Sequence, residues 1–117
     1  MHNFRNLQVW KDAIELAVEI YKITGTFPVS EKYNLTSQLN RSAVSVPSNI
    51  AEGAGRNTNG AFNQFLGIAT GSSYEMETQF IVANKLGLIQ EEQFTPLIEK
   101  MYSIQRMTHS LKSSLLK

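Results

Sequence analysis

Apolar residues recur at alternating intervals of four and three along three segments of this chain, and this spacing restricts the fold more than any other feature. An α-helix has 3.6 residues per turn, so residues at these intervals lie along one face of a helix. Seams of this kind are typical of helix bundles. The predicted seams are Leu39, Ala43, Val46, Ile50 and Gly53; Phe62, Leu66, Ala69, Ser73, Met76, Phe80 and Ala83; and Phe94, Leu97, Met101, Ile104, Thr108, Leu111 and Leu115.

Residues that start or stop helices divide the chain into four predicted helices. The first covers Leu7–Thr24 and ends at Gly25; the second covers Leu35–Gly53; the third starts after a cap at Thr58 or Asn59 and ends at Gly87; the fourth opens with Glu91. No segment has the pattern of a strand, and short connections favour antiparallel neighbours. We therefore expect an all-α fold, an antiparallel up-down four-helix bundle, in one domain of residues 1–117.

Proline and glycine inside the predicted helices indicate local irregularities. Pro47 lacks a backbone N–H and clashes with the preceding turn, which predicts a kink in the second helix. Two glycines of the third helix, Gly67 and Gly71, are four residues apart and predict a close approach of another helix. Gly53 and Gly55 are expected to end the second helix and turn the chain.

The first predicted helix is apolar around most of its circumference. Its charged and polar residues occupy an arc of only about 100° on a helical wheel. Four helices of similar length leave no central position for such a helix, so we expect a second copy of the chain to cover the remainder. The residues predicted for this interface are Val9, Leu16, Ile20 and Ile23.

Composition argues against most kinds of catalytic and metal chemistry. The chain has no cysteine, which excludes disulfides, thiolate zinc sites and cysteine nucleophiles. His109 follows Arg106 by three residues, so the Glu-x-x-His pattern of di-iron bundles is missing, and Asp12 is the only aspartate that a serine triad could use. Neither nucleotide-binding glycine pattern is present. We predict no catalytic residue, no cofactor and no metal.

Charge and hydropathy narrow the expected partners and location. The net charge is +1, whereas a dedicated nucleic-acid binder usually has a clear basic excess. Neither a leader of signal-peptide length nor a stretch apolar enough to span a bilayer is evident, so we expect a cytoplasmic protein with no membrane partner.

One polar cluster remains as a candidate site. Its residues on the second predicted helix lie within about 80° of one another on a wheel, and Glu75 on the third helix can face them. Two interpretations stay open: a pocket for a ligand or RNA, or a hydrogen-bonded network that sets helix register or a subunit contact. Glu52 stands close to Arg56, and this mixture of charges favours the structural interpretation. The cluster is Arg41, Ser45, Asn49, Glu52, Arg56 and Glu75.

Three motifs in order resemble those of a known family. They are FRNLQVWKDAIELAVEIYKIT, FPVSEKYNLTSQLNRSAVSVPSNIAEGAGR and FLGIATGSSYEMETQ. The chain resembles the small bacterial four-helix bundle proteins encoded within intervening sequences of 23S ribosomal RNA genes, often labelled ribosomal proteins. The resemblance implies a ring-like homo-oligomer, a pentamer, without catalytic residues or cofactor. A related branch, the accessory protein of diversity-generating retroelements, is strongly basic, and this chain departs from it in charge.

These observations predict a non-enzymatic, homo-oligomeric helical bundle that acts as a scaffold or adaptor for RNA or for another protein. The alternative is an RNA-binding module associated with ribosomal RNA or a ribonucleoprotein. A third possibility, an enzyme or small-ligand binder built on the cluster from Asn49 to Glu52, requires Glu52 and Glu75 to face open space.

Overall fold

Four α-helices make up most of the computed structural model, which describes residues 2–116. They are α1 (Gln8–Thr24), α2 (Leu35–Ala54), α3 (Asn59–Lys85) and α4 (Glu91–Leu115), with short 3₁₀ turns at Phe4–Asn6 and Val29–Glu31. No strand occurs within this range. The predicted all-α fold class is confirmed, and each predicted helix boundary lies within about two residues of the observed one.

The ends of α3 show why the sequence locates this helix well. Thr58 is the N-cap, and its hydroxyl accepts a hydrogen bond from the Ala61 N–H at 3.1 Å. At the other end Gly87 adopts a φ of 81°, which only glycine reaches without strain. The Leu88 N–H then donates to the Ala83 carbonyl at 2.9 Å, closing a Schellman motif. Both caps are local, so short sequence patterns predict them.

Each helix packs against two others in cyclic order, α1 against α2 and α4, and α3 against α2 and α4. Between α2 and α3, Ser42 lies beside Gln79 and Ser45 beside Ser72. As the residue numbers rise along α2 they fall along α3, so the two helices run antiparallel. This is the direction that an up-down order requires.

The contacts between α4 and α3 show that these two helices also run antiparallel. Its Gln105 amide donates to Glu77 of α3 at 2.8 Å, and its Lys112 carbonyl accepts from Asn63 at 3.1 Å. Numbers again rise on one helix while they fall on the other. One end of the bundle therefore holds the start of α1, the end of α2, the start of α3 and the end of α4.

The three predicted seams form the core, together with the inner face of α1. Leu16 and Ile20 of α1 are fully buried, and Val9 and Ile23 are also buried, all within a single chain. The prediction that these four residues form a subunit interface is therefore wrong. The apolar arc of α1 is broad because it faces both α2 and α4, and the wheel could not show which part of the arc those helices cover.

Close helix packing occurs at a different glycine from the two predicted. A Cβ atom at Gly53, inside α2, would lie 2.6 Å from the Phe65 Cβ and 2.9 Å from the Phe62 Cδ1. By contrast, a Cβ at Gly71 would meet nothing within 4 Å, and one at Gly67 would meet only the Lys112 Nζ at 3.3 Å. The expectation for Gly67 and Gly71 is thus wrong within this chain. The end of α2 expected at Gly53 and Gly55 is confirmed, because the helix ends at Ala54 with Gly55 as its C-cap, and Gly53 also contacts α3.

Pro47 lies inside α2, and helical structure continues on both sides of it. The Asn49 side chain donates to the Ser45 carbonyl in the same stretch, at 2.8 Å. A bend of the helix axis at Pro47 stays a prediction.

Candidate functional site

An apolar groove with a volume of about 650 Å³ lies between α1 and α2. Ile14, Val18 and Tyr21 of α1 line one side, and Val44 and Pro47 of α2 line the other. Among the described residues Lys22 is the only charged one that lines the groove, and no carboxylate of theirs lines it. Neighbouring exposed apolar side chains that line a groove are a candidate site for another molecule to pack.

The N-terminal segment builds one end of this groove. Phe4 and Trp10 pack edge to face there, with ring centres 5.1 Å apart. The Arg5 guanidinium lies 4.5 Å from the centre of the Phe4 ring, and the His2 N–H donates to the Ala54 carbonyl at 2.9 Å. These contacts fix the segment against the end of α2, so the aromatic wall is held in place.

Sequence reasoning missed the α2 side of the groove, although a signal for it exists. Val44, Pro47 and Ala51 follow spacings of three and four, a second and narrower apolar stripe beside the seam of α2. Pro47 has two roles in α2: it interrupts the backbone hydrogen bonds of the helix, and its ring forms part of this apolar stripe. Sequence reasoning considered only the first role.

A polar seam between α2 and α3 contains two of the predicted cluster residues. The Ser45 and Ser72 hydroxyls lie 2.8 Å apart, and the Asn49 amide donates to the Ser45 hydroxyl at 3.0 Å. One helical turn away, the Gln79 amide nitrogen donates to the Ser42 hydroxyl at 2.7 Å. Throughout residues 2–116 each buried side-chain nitrogen and oxygen has a hydrogen-bond partner. The seam thus joins two helices without leaving a buried group for a ligand.

The other four residues of the predicted cluster divide into two places. Glu52 and Arg56 form an ion pair of 3.6 Å in which both side chains are half exposed, so it stabilises α2 by at most about 1 kcal/mol. The Arg56 guanidinium also lies 4.8 Å from the centre of the Phe65 ring. Arg41 and Glu75 line a polar groove of about 550 Å³. Residues of the polar seam line the same groove: Ser42, Ser45, Ser72 and Gln79. Glu52 and Glu75 both face solvent, as the small-ligand hypothesis requires, but Glu52 does not line the groove that Glu75 lines. That hypothesis stays a prediction.

Charge is unevenly distributed along the bundle despite a net value near zero. The half built from residues 2–14, 47–70 and 105–116 contains five basic and two acidic residues. The opposite half contains five basic and eight acidic residues. The basic half also holds residues 57–70, which carry no charge, so few carboxylates offset its positive charge.

Residues 2–116 contain neither a cluster of metal-binding side chains nor a helix that could span a membrane. No group of three histidine, aspartate or glutamate side chains is placed to hold a metal ion there. None of the helices in this range has both the length and the apolar character needed to cross a membrane.

The fold and its open grooves define the class of small four-helix bundle proteins. Within this class, the family model for the 23S rRNA-intervening sequence protein matches residues 5–110. The chain therefore belongs to that family, and the resemblance seen in its motifs is confirmed.

A solved structure shows the same fold. It is a crystal structure of a protein of unknown function from the S23 ribosomal protein family of Bacteroides thetaiotaomicron. The two superpose with a TM-score of 0.83 over 90% of this chain and 95% of that one, at 23% sequence identity. No match is found among proteins with curated descriptions.

Proposed function

We propose that this protein is a non-enzymatic, homo-oligomeric helical bundle that acts as a scaffold or adaptor. The observation that supports the proposal is the apolar groove between α1 and α2. Ile14, Val18 and Tyr21 are 39–49% exposed there, and Val44 is 41% exposed. Such side chains favour association with a surface that excludes water from them. The assembly proposed is a ring, with the pentamer that the resemblance implies as its expected size.

The energetics indicate what the partner surface must supply. Fully burying one large apolar side chain stabilises by about 1.5–3 kcal/mol, so covering a half-exposed one contributes about 1 kcal/mol. Covering four such residues therefore stabilises a complex by about 4 kcal/mol. The loss of translational and rotational freedom on association costs about 4–15 kcal/mol, so these four residues offset only the lowest value of that cost. A stable complex therefore requires a partner that fills the groove with apolar side chains of its own.

Replacing Val18 with aspartate is expected to convert the assembly to monomers, because it places a carboxylate in the middle of the groove. Size-exclusion chromatography with light scattering at micromolar concentration measures the molar mass. Val82→Asp is the matched control, since Val82 is a valine of similar exposure, 43% against 49%, outside this groove. The control should keep the wild-type mass, and a wild-type protein that is monomeric at this concentration would end the proposal.

The basic half of the bundle supports a second candidate function, binding to RNA. Arg5 and Arg56 are exposed in this half, and Lys112 is partly exposed there. Phosphate groups attract such side chains with an affinity that falls steeply as salt rises. The groove extends into the basic half, but the adaptor role and RNA binding are compatible because Arg56 and Lys112 do not line the groove.

Arg56→Gln tests the RNA-binding candidate, measured as anisotropy of a labelled, structured ribosomal RNA fragment. If Arg56 contacts one phosphate, the slope of log K against log salt should decrease in magnitude by about 0.7–0.9. Lys85→Gln, in the acidic half, serves as the control and should leave the slope unchanged. Absence of affinity at low salt would remove this candidate.

A further inference from the structure

The connection between α1 and α2 exposes two large apolar side chains at the acidic end of the bundle. Val29 is 87% exposed and Tyr33 is 88% exposed, the highest values among the large apolar residues of the described chain. Both belong to the segment Val29–Tyr33, which we call the loop knob. Exposed apolar residues at a convex tip can fill a concave apolar surface elsewhere.

Hydrogen bonds give the loop knob a defined shape. The Lys32 N–H donates to the Val29 carbonyl at 3.0 Å, and the Asn34 N–H donates to the Glu31 carbonyl at 3.0 Å. Since these bonds form a 3₁₀ turn followed by the start of α2, less conformational entropy is lost when the loop knob docks.

Charge around the loop knob is complementary to charge around the groove. Glu31 and Lys32 both belong to the loop knob, and the Lys32 amine lies 5.4 Å from the centre of the Tyr33 ring. Glu91 and Glu92 start α4 at the same end of the bundle, so these three carboxylates outweigh the one ammonium group of the loop knob. The groove has Lys22 in its wall and Arg5 against its Phe4 ring. Opposite charges at the rim of an apolar contact increase the association rate and select the orientation.

From this geometry we infer that the loop knob of one copy docks into the α1–α2 groove of a second copy, an inference that rests on the proposed homo-oligomer. Two grooves placed face to face would leave their concave surfaces unfilled. When the loop knob of one copy docks in the groove of another, the two copies contribute different surfaces. Such a contact is called a heterologous interface. Such interfaces form a ring when the rotation closes.

The inference is tested with one variant for each half of the interface. The double variant Val29→Asp with Tyr33→Asp replaces the exposed apolar side chains of the loop knob with carboxylates, so the loop knob can no longer dock. The variant Val18→Asp places a carboxylate in the groove, so the groove can no longer accept a loop knob. Each variant alone should be monomeric by light scattering. An equimolar mixture should form a 1:1 heterodimer and nothing larger, because only one intact knob and one intact groove remain. Tyr74→Asp, at an exposed tyrosine outside both surfaces, should keep the wild-type mass.

The outcomes separate this inference from the proposed function. A monomeric wild type would overturn both. A wild-type oligomer whose mass is unchanged by the double loop-knob variant would overturn the inference and leave the proposed function standing. Two monomeric variants that fail to form a heterodimer, while circular dichroism shows both to be folded, would also overturn the inference. A heterodimer supports it.

Discussion

Replacing Ile20 with alanine is expected to lower the free energy of unfolding by about 2–5 kcal/mol, the loss typical of a large buried aliphatic side chain cut back to a methyl group. Ile20 has no exposed surface in the single chain and lies on the inner face of α1. Its truncation therefore leaves a cavity in the core of each bundle. Urea denaturation followed by circular dichroism at two protein concentrations measures the effect and separates any contribution from assembly.

Val18→Ala is the matched control on the same helix. Val18 is half exposed in the groove, so its truncation should cost less than about 1 kcal/mol at a concentration where the chain is monomeric. The structure would be contradicted if Ile20→Ala left the unfolding free energy unchanged and lowered only the molar mass. That result would place Ile20 at the interface that the sequence pattern suggested.

Replacing Gly53 with alanine is expected to destabilise the bundle by about 1–3 kcal/mol through overpacking. The new methyl group would lie 2.6 Å from the Phe65 Cβ and 3.3 Å from the Phe62 carbonyl oxygen. These atoms belong to the backbone of α3 or lie next to it, so a side-chain rotation cannot relieve the contact. The two helices must separate, which weakens the polar seam between them. Thermal and urea denaturation measure the loss.

Gly71→Ala is the control, and it is expected to change the stability of the bundle in the opposite direction. Gly71 also lies inside a helix, but a Cβ there meets nothing within 4 Å. Alanine has the higher helix propensity, so this variant should be more stable by about 0.5–1 kcal/mol. If Gly53→Ala raised stability as Gly71→Ala does, the close approach of α2 and α3 at Gly53 would be incorrect.

The helices themselves follow from the sequence to within a few residues. The seam of α3 begins after a threonine whose hydroxyl caps the helix, and it ends at a glycine with positive φ. Each of these signals acts between residues a few positions apart. The same holds for the apolar spacing, which depends only on the number of residues per turn.

The candidate surfaces could be predicted only in part. The polar cluster on α2 was identified as a set because its members share one side of a helix. In the structure Ser45 and Asn49 join a seam, Glu52 and Arg56 pair with each other, and Arg41 and Glu75 line a groove. A helical wheel shows the direction of a side chain but not the distance to the helix that it meets.

The sequence by itself thus determined the number of helices, their ends and the stripe that α2, α3 and α4 each bury, since these are local properties of a chain with a 3.6-residue period. Only the tertiary structure decided that Leu16 and Ile20 face the core while Ile14 and Val18 face the groove. It also decided that α3 approaches most closely at Gly53 and not at Gly71. Both outcomes depend on where α2, α3 and α4 lie around a given residue, and those neighbours are far away in the sequence.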